Sequence, residues 1–253
     1  MKNIAEICCG SFYDAKQAVL GGAERIELNS ALMLGGLTPA TGTLRLVKKY
    51  FPNLQVIAMV RPRGAGFCYT EEEFMAMEEE CRDLLANGAD GIAFGCLMEN
   101  GDLDIQKNEI LIKMIHDAGK EAVFHRAFDC SRDPFLTMET LIGLGVDRVL
   151  TSGLKPKAQE GADLILQLQK LFGSQIQILA GSGINGENAC ELMKKTGVSQ
   201  VHSSCKTWLT DPTTVKNGVS YSIASGEQKY QYDGVSRELA QQLVKAVEQY
   251  CGK

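Results

Sequence analysis

Side chains that could do chemistry fall at the ends of short apolar runs in this sequence. Glu6 and Cys8 lie in the first run, and Glu27 and Asn29 close the second. Arg61 and Arg63 follow the third, in RPRGAGF (61–67). His125 and Asp129 belong to FHRAFD (124–129), and His202, Ser203 and Ser204 end the last run. Glu and His exchange protons near neutral pH when their surroundings tune them. The guanidinium fork of Arg matches carboxylate or phosphate with paired N–H donors. Pro62 fixes its φ, and Gly64 and Gly66 let this loop curl closely round a ligand. Arg61 and Arg63 are therefore candidates for holding an anion. The other reading is a structural ion-pair cluster with Glu6 and Glu27. His125, with Asp129 nearby, and His202 are candidate general acids or bases; a hydrogen-bonded structural role is the alternative for each. His116, the remaining one of the three histidines, sits in a helical pattern and belongs to surface or core.

AGSGINGEN (180–188) holds a literal G-x-G-x-x-G at Gly181, Gly183 and Gly186. A dinucleotide fingerprint requires an acidic residue at the end of the next strand, and that region reads His202-Ser203-Ser204-Cys205-Lys206. The better reading is an anion site made by backbone N–H groups of two loops, with Gly181, Gly183 and Ser203 as its candidates. A tight turn that needs glycine is the alternative.

The elements that would position these groups follow from periodicity. Eight short apolar runs read as strands: 4–8, 25–29, 55–60, 91–95, 122–125, 148–151, 177–180 and 200–203. The segments between them carry helical spacing, as in 70–85 with Phe74, Met77, Cys81, Leu84 and Leu85 on one face. GGAERIEL, NGADGIAF, LGVDRVL and TGVSQVH share one grammar, a helix ending in Gly and then a strand, and precede the second, fourth, sixth and eighth runs. Eight strand–helix units in 253 residues fit an α/β fold, a (β/α)8 TIM barrel, as one domain spanning 1–253. An open doubly wound sheet is the alternative. In a parallel barrel the ligand site lies at the C-terminal strand ends, where the polar residues above fall. Alternation puts Glu6 with Cys8, and Glu27 with Asn29, on common faces. The long irregular stretch 206–234 is expected to be functional.

Composition narrows the classes. The net charge is −5, with 23% charged and 45% hydrophobic residues, and no basic patch suits nucleic acid. The start lacks a signal-peptide apolar core, and no run approaches the roughly 18 residues of a membrane span, so a cytoplasmic location is expected. The nine cysteines are odd in number and lack C-x-x-C, which argues for mostly buried, reduced thiols.

GGAERIELNSAL and GGLTP (21–39), MVRPRGAGFCYT (59–70), FGCLMENGDLD (94–104), FHRAFD, LTSG (150–153), AGSGIN (180–185) and HSS (202–204) together resemble the CutC copper homeostasis family. The resemblance runs from residue 4 to about 204. It implies a (β/α)8 barrel in the cytoplasm, a homo-oligomer (dimer or tetramer), and a role in copper homeostasis through Cu(I) binding. The family's proposed ligands are two cysteines at the ends of strands 1 and 2. Cys8 stands at the first position and Asn29 at the second, where relatives often carry Cys. An amide is a poor partner for soft Cu(I), and Cys9 faces the other way from Cys8. Beside this reading stands an enzyme acting on a small phosphate- or carboxylate-bearing molecule through Glu and His acid–base chemistry. Whether the chain is an enzyme stays open at this level.

Overall fold

The computed structural model describes residues 2–250; Cys251 lies outside the described residues. The eight expected strands are β1 (Ile4–Cys9), β2 (Arg25–Leu28), β3 (Gln55–Met59), β4 (Gly91–Phe94), β5 (Glu121–Phe124), β6 (Arg148–Thr151), β7 (Gln177–Gly181) and β8 (Gln200–Ser203). Each pairs in parallel with the next, and β8 returns to β1, so the sheet closes into a barrel rather than staying open. The helices are α1 (Phe12–Leu20), α2 (Thr41–Tyr50), α3 (Glu71–Ala86), α4 (Ile105–Asp117), α5 (Pro134–Leu144), α6 (Ala162–Phe172), α7 (Ala189–Thr196) and α8 (Arg237–Glu248). They are punctuated as local chemistry requires. Ser11 and Ser236 cap α1 and α8, Thr70 and Glu73 form a capping box on α3, and Asp133 with Pro134 opens α5. The glycines of the repeated grammar, Gly22, Gly88, Gly145 and Gly197, all have positive φ, between +78° and +96°. A side chain there would be strained, so they stop the helices and feed the next strands.

Alternation along the strands divides inside from outside. Ile7, Cys9, Ile26, Leu28, Val56, Ala58, Ile92 and Phe94 join the large core between strands and helices. The inside of the barrel has two halves. On β3, β4 and β5 it is apolar, with Ile57, Met59, Ala93 and Val123 in one cluster. Towards β1, β2, β6, β7 and β8 it is polar. Glu6 faces Arg25 across the β1–β2 register and His202 across β1–β8. Arg25 Nε lies 2.6 Å from Glu6 Oε2, and Arg25 Nη2 donates to Gln200 Oε1 at 2.6 Å. Gln200 donates in turn to Gln177, and Arg148 donates to Glu121 at 2.8 Å. Arg25 and Arg148 are only 2% and 1% exposed. Buried charges of this kind persist because each has opposite charge or hydrogen-bond partners.

The stretch 206–234 is not irregular. It leaves the barrel as β9 (Lys206–Thr210) and returns as β12 (Gln231–Val235), an antiparallel ribbon. A small hairpin of β10 (Val215–Lys216) and β11 (Val219–Ser220) stands between them. Buried Asp14 on α1 ties the ribbon down, accepting from the amides of Val235 (2.8 Å) and Gly10 (2.9 Å).

Candidate functional site

The C-terminal mouth of the barrel holds a cavity of about 490 Å³. Cys8 and Glu27 line its base, with Met59, Arg61, Phe67, His125, Arg126, Leu150, Gly183, Ser203 and His202 around them. Lys206, Asp233 and Val235 reach it from the ribbon.

At the base, donor atoms of Cys8, Glu27 and His202 lie within 4.8 Å of one another. β1, β2 and β8 are neighbours in the closed barrel, and the inward face of each ends in one of these groups. Asn29 Nδ2 donates to Glu27 Oε2 at 2.9 Å and lies 3.5 Å from Cys8 Sγ. Behind them, Glu6 Oε1 lies 2.9 Å from His202 Nδ1 and orients the ring. Burial would raise the Glu6 pKa, but the Arg25 charge and the His202 hydrogen bond bring it down to about 2. Burial would likewise strip the His202 proton. The Cys8 hydrogen bond, the Glu27 charge and the Glu6 hydrogen bond outweigh it and hold the imidazole pKa well above its usual value. Burial pushes the Cys8 thiol up to about 12 and also raises Glu27, against the opposing pull of His202.

His125 stands apart from this cluster. Its Nδ1 accepts the Ala127 amide at 3.1 Å, the first turn of the 3-10 helix Arg126–Cys130. Its ring packs against Phe67, centroids 5.0 Å apart. Burial, helped by the Arg61 charge, pushes its pKa down to about 3, so it is neutral in the physiological range.

Other expectations are corrected by the placement of the side chains. Arg61 and Arg63 do not pair with Glu6 and Glu27; Arg25 takes the partner role for Glu6. Arg61 is buried and donates to the carbonyls of Leu34, Gly36 and Ala65 at 3.0, 3.0 and 2.6 Å. It is a staple of the rim. Arg63 grips Glu73 and the carbonyls of Gly64, Gly66 and Cys68, outside the cavity lining. Asp129 does not reach His125. The 3-10 helix turns it towards β6, where it accepts from Thr151 Oγ1, the Ser152 amide and Arg126 Nε. Gly181 ends β7, where an added Cβ would lie 2.6 Å from Leu150 Cδ1, so it serves packing and does not line the cavity. Gly183, at φ +71°, and Ser203 do line it. Ser203 Oγ donates to the Ile184 carbonyl at 2.6 Å. Among the described cysteines Cys8 alone lines the main cavity, while Cys9, Cys81, Cys96 and Cys205 are buried and Cys68 and Cys130 exposed. The ribbon residues Lys206 and Asp233 carry no local signal in the sequence, because their approach depends on a pairing across more than twenty residues.

Replacing Arg61 by Met should remove three carbonyl partners while keeping much of the volume. The expected loss is about 2 kcal/mol in urea denaturation, with faster proteolysis within 61–67, because hydrogen bonds from charged donors exceed neutral ones.

Fold and site together define a (β/α)8 barrel protein with a cavity at the C-terminal strand ends. The model of the CutC family matches residues 3–207. A CutC family protein of Treponema denticola is 50% identical over 222 residues, covering 87% of this chain and 89% of the relative. One from Vibrio cholerae is 35% identical over 247 residues, covering 98% and 97%. The crystal structure of a CutC protein from Streptococcus agalactiae, which carries the name copper homeostasis protein, superposes with a TM-score of 0.76 at 29% identity, over 80% of this chain and 98% of that one. The chain belongs to the CutC family. The family match stops at the first residues of the ribbon. No helix among the described residues is long and apolar enough to cross a membrane.

Proposed function

We propose that this chain takes part in copper homeostasis by binding Cu(I) at Cys8 and His202, with Glu27 as a third donor. The observation that carries this reading is the convergence of a thiol, an imidazole and a carboxylate within 4.8 Å at the base of the mouth. Thiolate and imidazole both suit copper, and a single thiolate makes the set harder than a two-cysteine site. Asn29, 3.5 Å from Cys8 Sγ, occupies the place a second thiolate would take and serves instead as a donor to Glu27. Glu6 fixes the orientation of His202, the supporting role that a ligating imidazole needs. In this reading the protein works in the cytoplasm as a homo-oligomer, and the copper ion is its cargo. The test is anaerobic Cu(I) titration against a chromophoric chelator. One ion per chain is expected, weakened tenfold or more in Cys8→Ser and in His202→Gln. Wild-type affinity in both variants would sink the reading. Zn(II) competition in the same assay measures how far the mixed donor set departs from a copper site.

A second reading is an enzyme acting on a small anionic molecule, with Glu27 and His202 moving protons. What favours it is size, since about 490 Å³ is the volume of a small-molecule site rather than an ion site. Its rim carries Gly183, at φ +71°, and Ser204, both exposed. Phosphate binding by isothermal calorimetry, abolished by Gly183→Pro, is its expected mark.

A further inference from the structure

FHRAFD and LTSG are sequence motifs that neither reading of the mouth uses. The fold joins them in one clamp. The buried carboxylate of Asp129 accepts from Thr151 Oγ1 at 2.5 Å, from the Ser152 amide at 3.0 Å and from the Leu154 amide at 3.2 Å. It also accepts from Arg126 Nε at 2.7 Å, while Arg126 Nη2 donates to Ser152 Oγ at 2.8 Å. One fork of the guanidinium, Nε–H with one Nη2–H, is therefore occupied by a buried anchor. The end-on fork, Nη1–H with the other Nη2–H, meets no acceptor among the described residues. Arg126 lines the mouth cavity, and its side chain is 41% exposed. Asp129 and Ser152 are buried, so the exposed part of this guanidinium is the free fork.

Arg61 adds charge to the same cavity wall. It is buried, and its guanidinium meets three carbonyls and no carboxylate among the described residues. A buried cation without a counter-ion is destabilising, and an anion in the cavity would offset it. Around these cations the lining is apolar, with Met59, Phe67 and Leu150. Phe67 packs on the ring of His125, the residue before Arg126, at 5.0 Å between centroids. Leu150 lies two residues before Ser152 on the neighbouring strand β6.

We infer that the mouth binds a small organic acid with an apolar body, its carboxylate held end-on by the free Nη1/Nη2 fork of Arg126 and its body resting against Met59, Phe67 and Leu150. This rests on the reading of the mouth as a small-anion site, and it names the acid group and the side chain that takes it. Two parallel N–H donors match the two oxygens of a carboxylate. The third oxygen of a phosphate would need a further donor, and Met59, Phe67 and Leu150 offer none. A cavity of mostly apolar lining with one fixed polar anchor is the usual form of a small-molecule site. The anchor is stiff, because Asp129 and Ser152 fix the guanidinium from behind. It stands on the β5–β6 side of the mouth, whereas Cys8, Glu27 and His202 come from β1, β2 and β8.

The experiment titrates the protein with benzoate, its uncharged isostere benzamide, phenyl phosphate and inorganic phosphate, followed by ligand-observed NMR. Benzoate should bind about tenfold tighter than benzamide, the effect of one charge-assisted pair of hydrogen bonds, and tighter than phenyl phosphate. Arg126→Gln should remove about tenfold of the benzoate affinity. Arg126→Lys keeps a positive charge without the fork and should still lose about fivefold. Both variants leave Asp129 its donors from Thr151, Ser152 and Leu154, and an unchanged Tm checks that they fold. The comparison of benzoate with benzamide needs no variant at all. If benzoate, phenyl phosphate and inorganic phosphate all fail to bind, the small-anion reading falls and this inference with it. If a phosphate binds and benzoate does not, or binds tighter than benzoate, the anion site stands and the carboxylate class is overturned. Equal affinity for benzoate and benzamide overturns it too. If Arg126→Gln holds benzoate as tightly as the unaltered chain, the anion site stands and the assignment to Arg126 is overturned.

Discussion

Replacing Glu6 by Gln should cost roughly 3–5 kcal/mol of stability, the range for breaking a buried ion pair by removing one partner. Glu6 is the fully buried carboxylate among a dense set of cations. Arg25 Nε is 2.6 Å from it, Arg148 Nη1 is 3.9 Å away, and His202 Nδ1 is 2.9 Å away. Gln matches its shape but not its charge, so the buried Arg25 guanidinium and the His202 imidazolium lose this counter-ion, while Arg148 keeps Glu121 at 2.8 Å. Urea denaturation at pH 7 measures the loss. Arg25→Met added to Glu6→Gln should recover part of it, because an apolar pair of similar volume removes the stranded charge. The pH dependence carries an independent mark. Glu6 has its pKa lowered from the ordinary 4.5 to about 2 in the folded state. Its contribution is therefore present above about pH 4.5 and is lost as the pH falls towards about 2. Wild type should lose stability across that window more steeply than Glu6→Gln. Equal slopes, or a loss under 1 kcal/mol, would show that Glu6 does not anchor the barrel interior.

The same residues show why part of the site was legible in the sequence and part was not. A period of two along a strand is local, so Glu6 with Cys8 could be read as one face, and the apolar Ile26 and Leu28 as the opposite one. The strand ends of a barrel gather by topology, so Cys8, Glu27 and His202 meet because β1, β2 and β8 are neighbours once the sheet closes. Partner choice inside the barrel is not local. Arg25 and Arg148 begin their strands just after helix-stopping glycines, where charge ordinarily faces water, yet the barrel turns both inwards. That placement, rather than the arginines of RPRGAGF, decides which cation meets Glu6. Asp129 is four residues from His125, and only the tight 3-10 turn sends it to Thr151 and Ser152 instead. The ribbon is non-local in the same way. KTWLT and QYDGV become strands by pairing with each other, with Trp208 opposite Asp233, across a gap that no periodicity spans.

Copper affinity should rise about 100-fold for each pH unit between roughly pH 6 and 8, as two protons are displaced per ion bound. The cluster holds both. Cys8 keeps its thiol proton because burial pushes its pKa up to about 12. His202 keeps its ring proton because the Cys8 hydrogen bond, the Glu27 charge and the Glu6 hydrogen bond together outweigh its burial. A metal needs thiolate and neutral imidazole, so each site filled releases one proton from each. The slope of log K against pH counts those protons directly. Glu6→Gln removes the group that helps hold the His202 proton, and its slope should fall from two towards one even where affinity at pH 8 is kept. Cys8→Ser should flatten the dependence further, since a hydroxyl neither ligates Cu(I) well nor yields its proton in this range. A wild-type affinity independent of pH above 6 would mean that the ion enters without displacing these protons. Cys8 and His202 would then not be its ligands, and the copper reading of this cluster would fall.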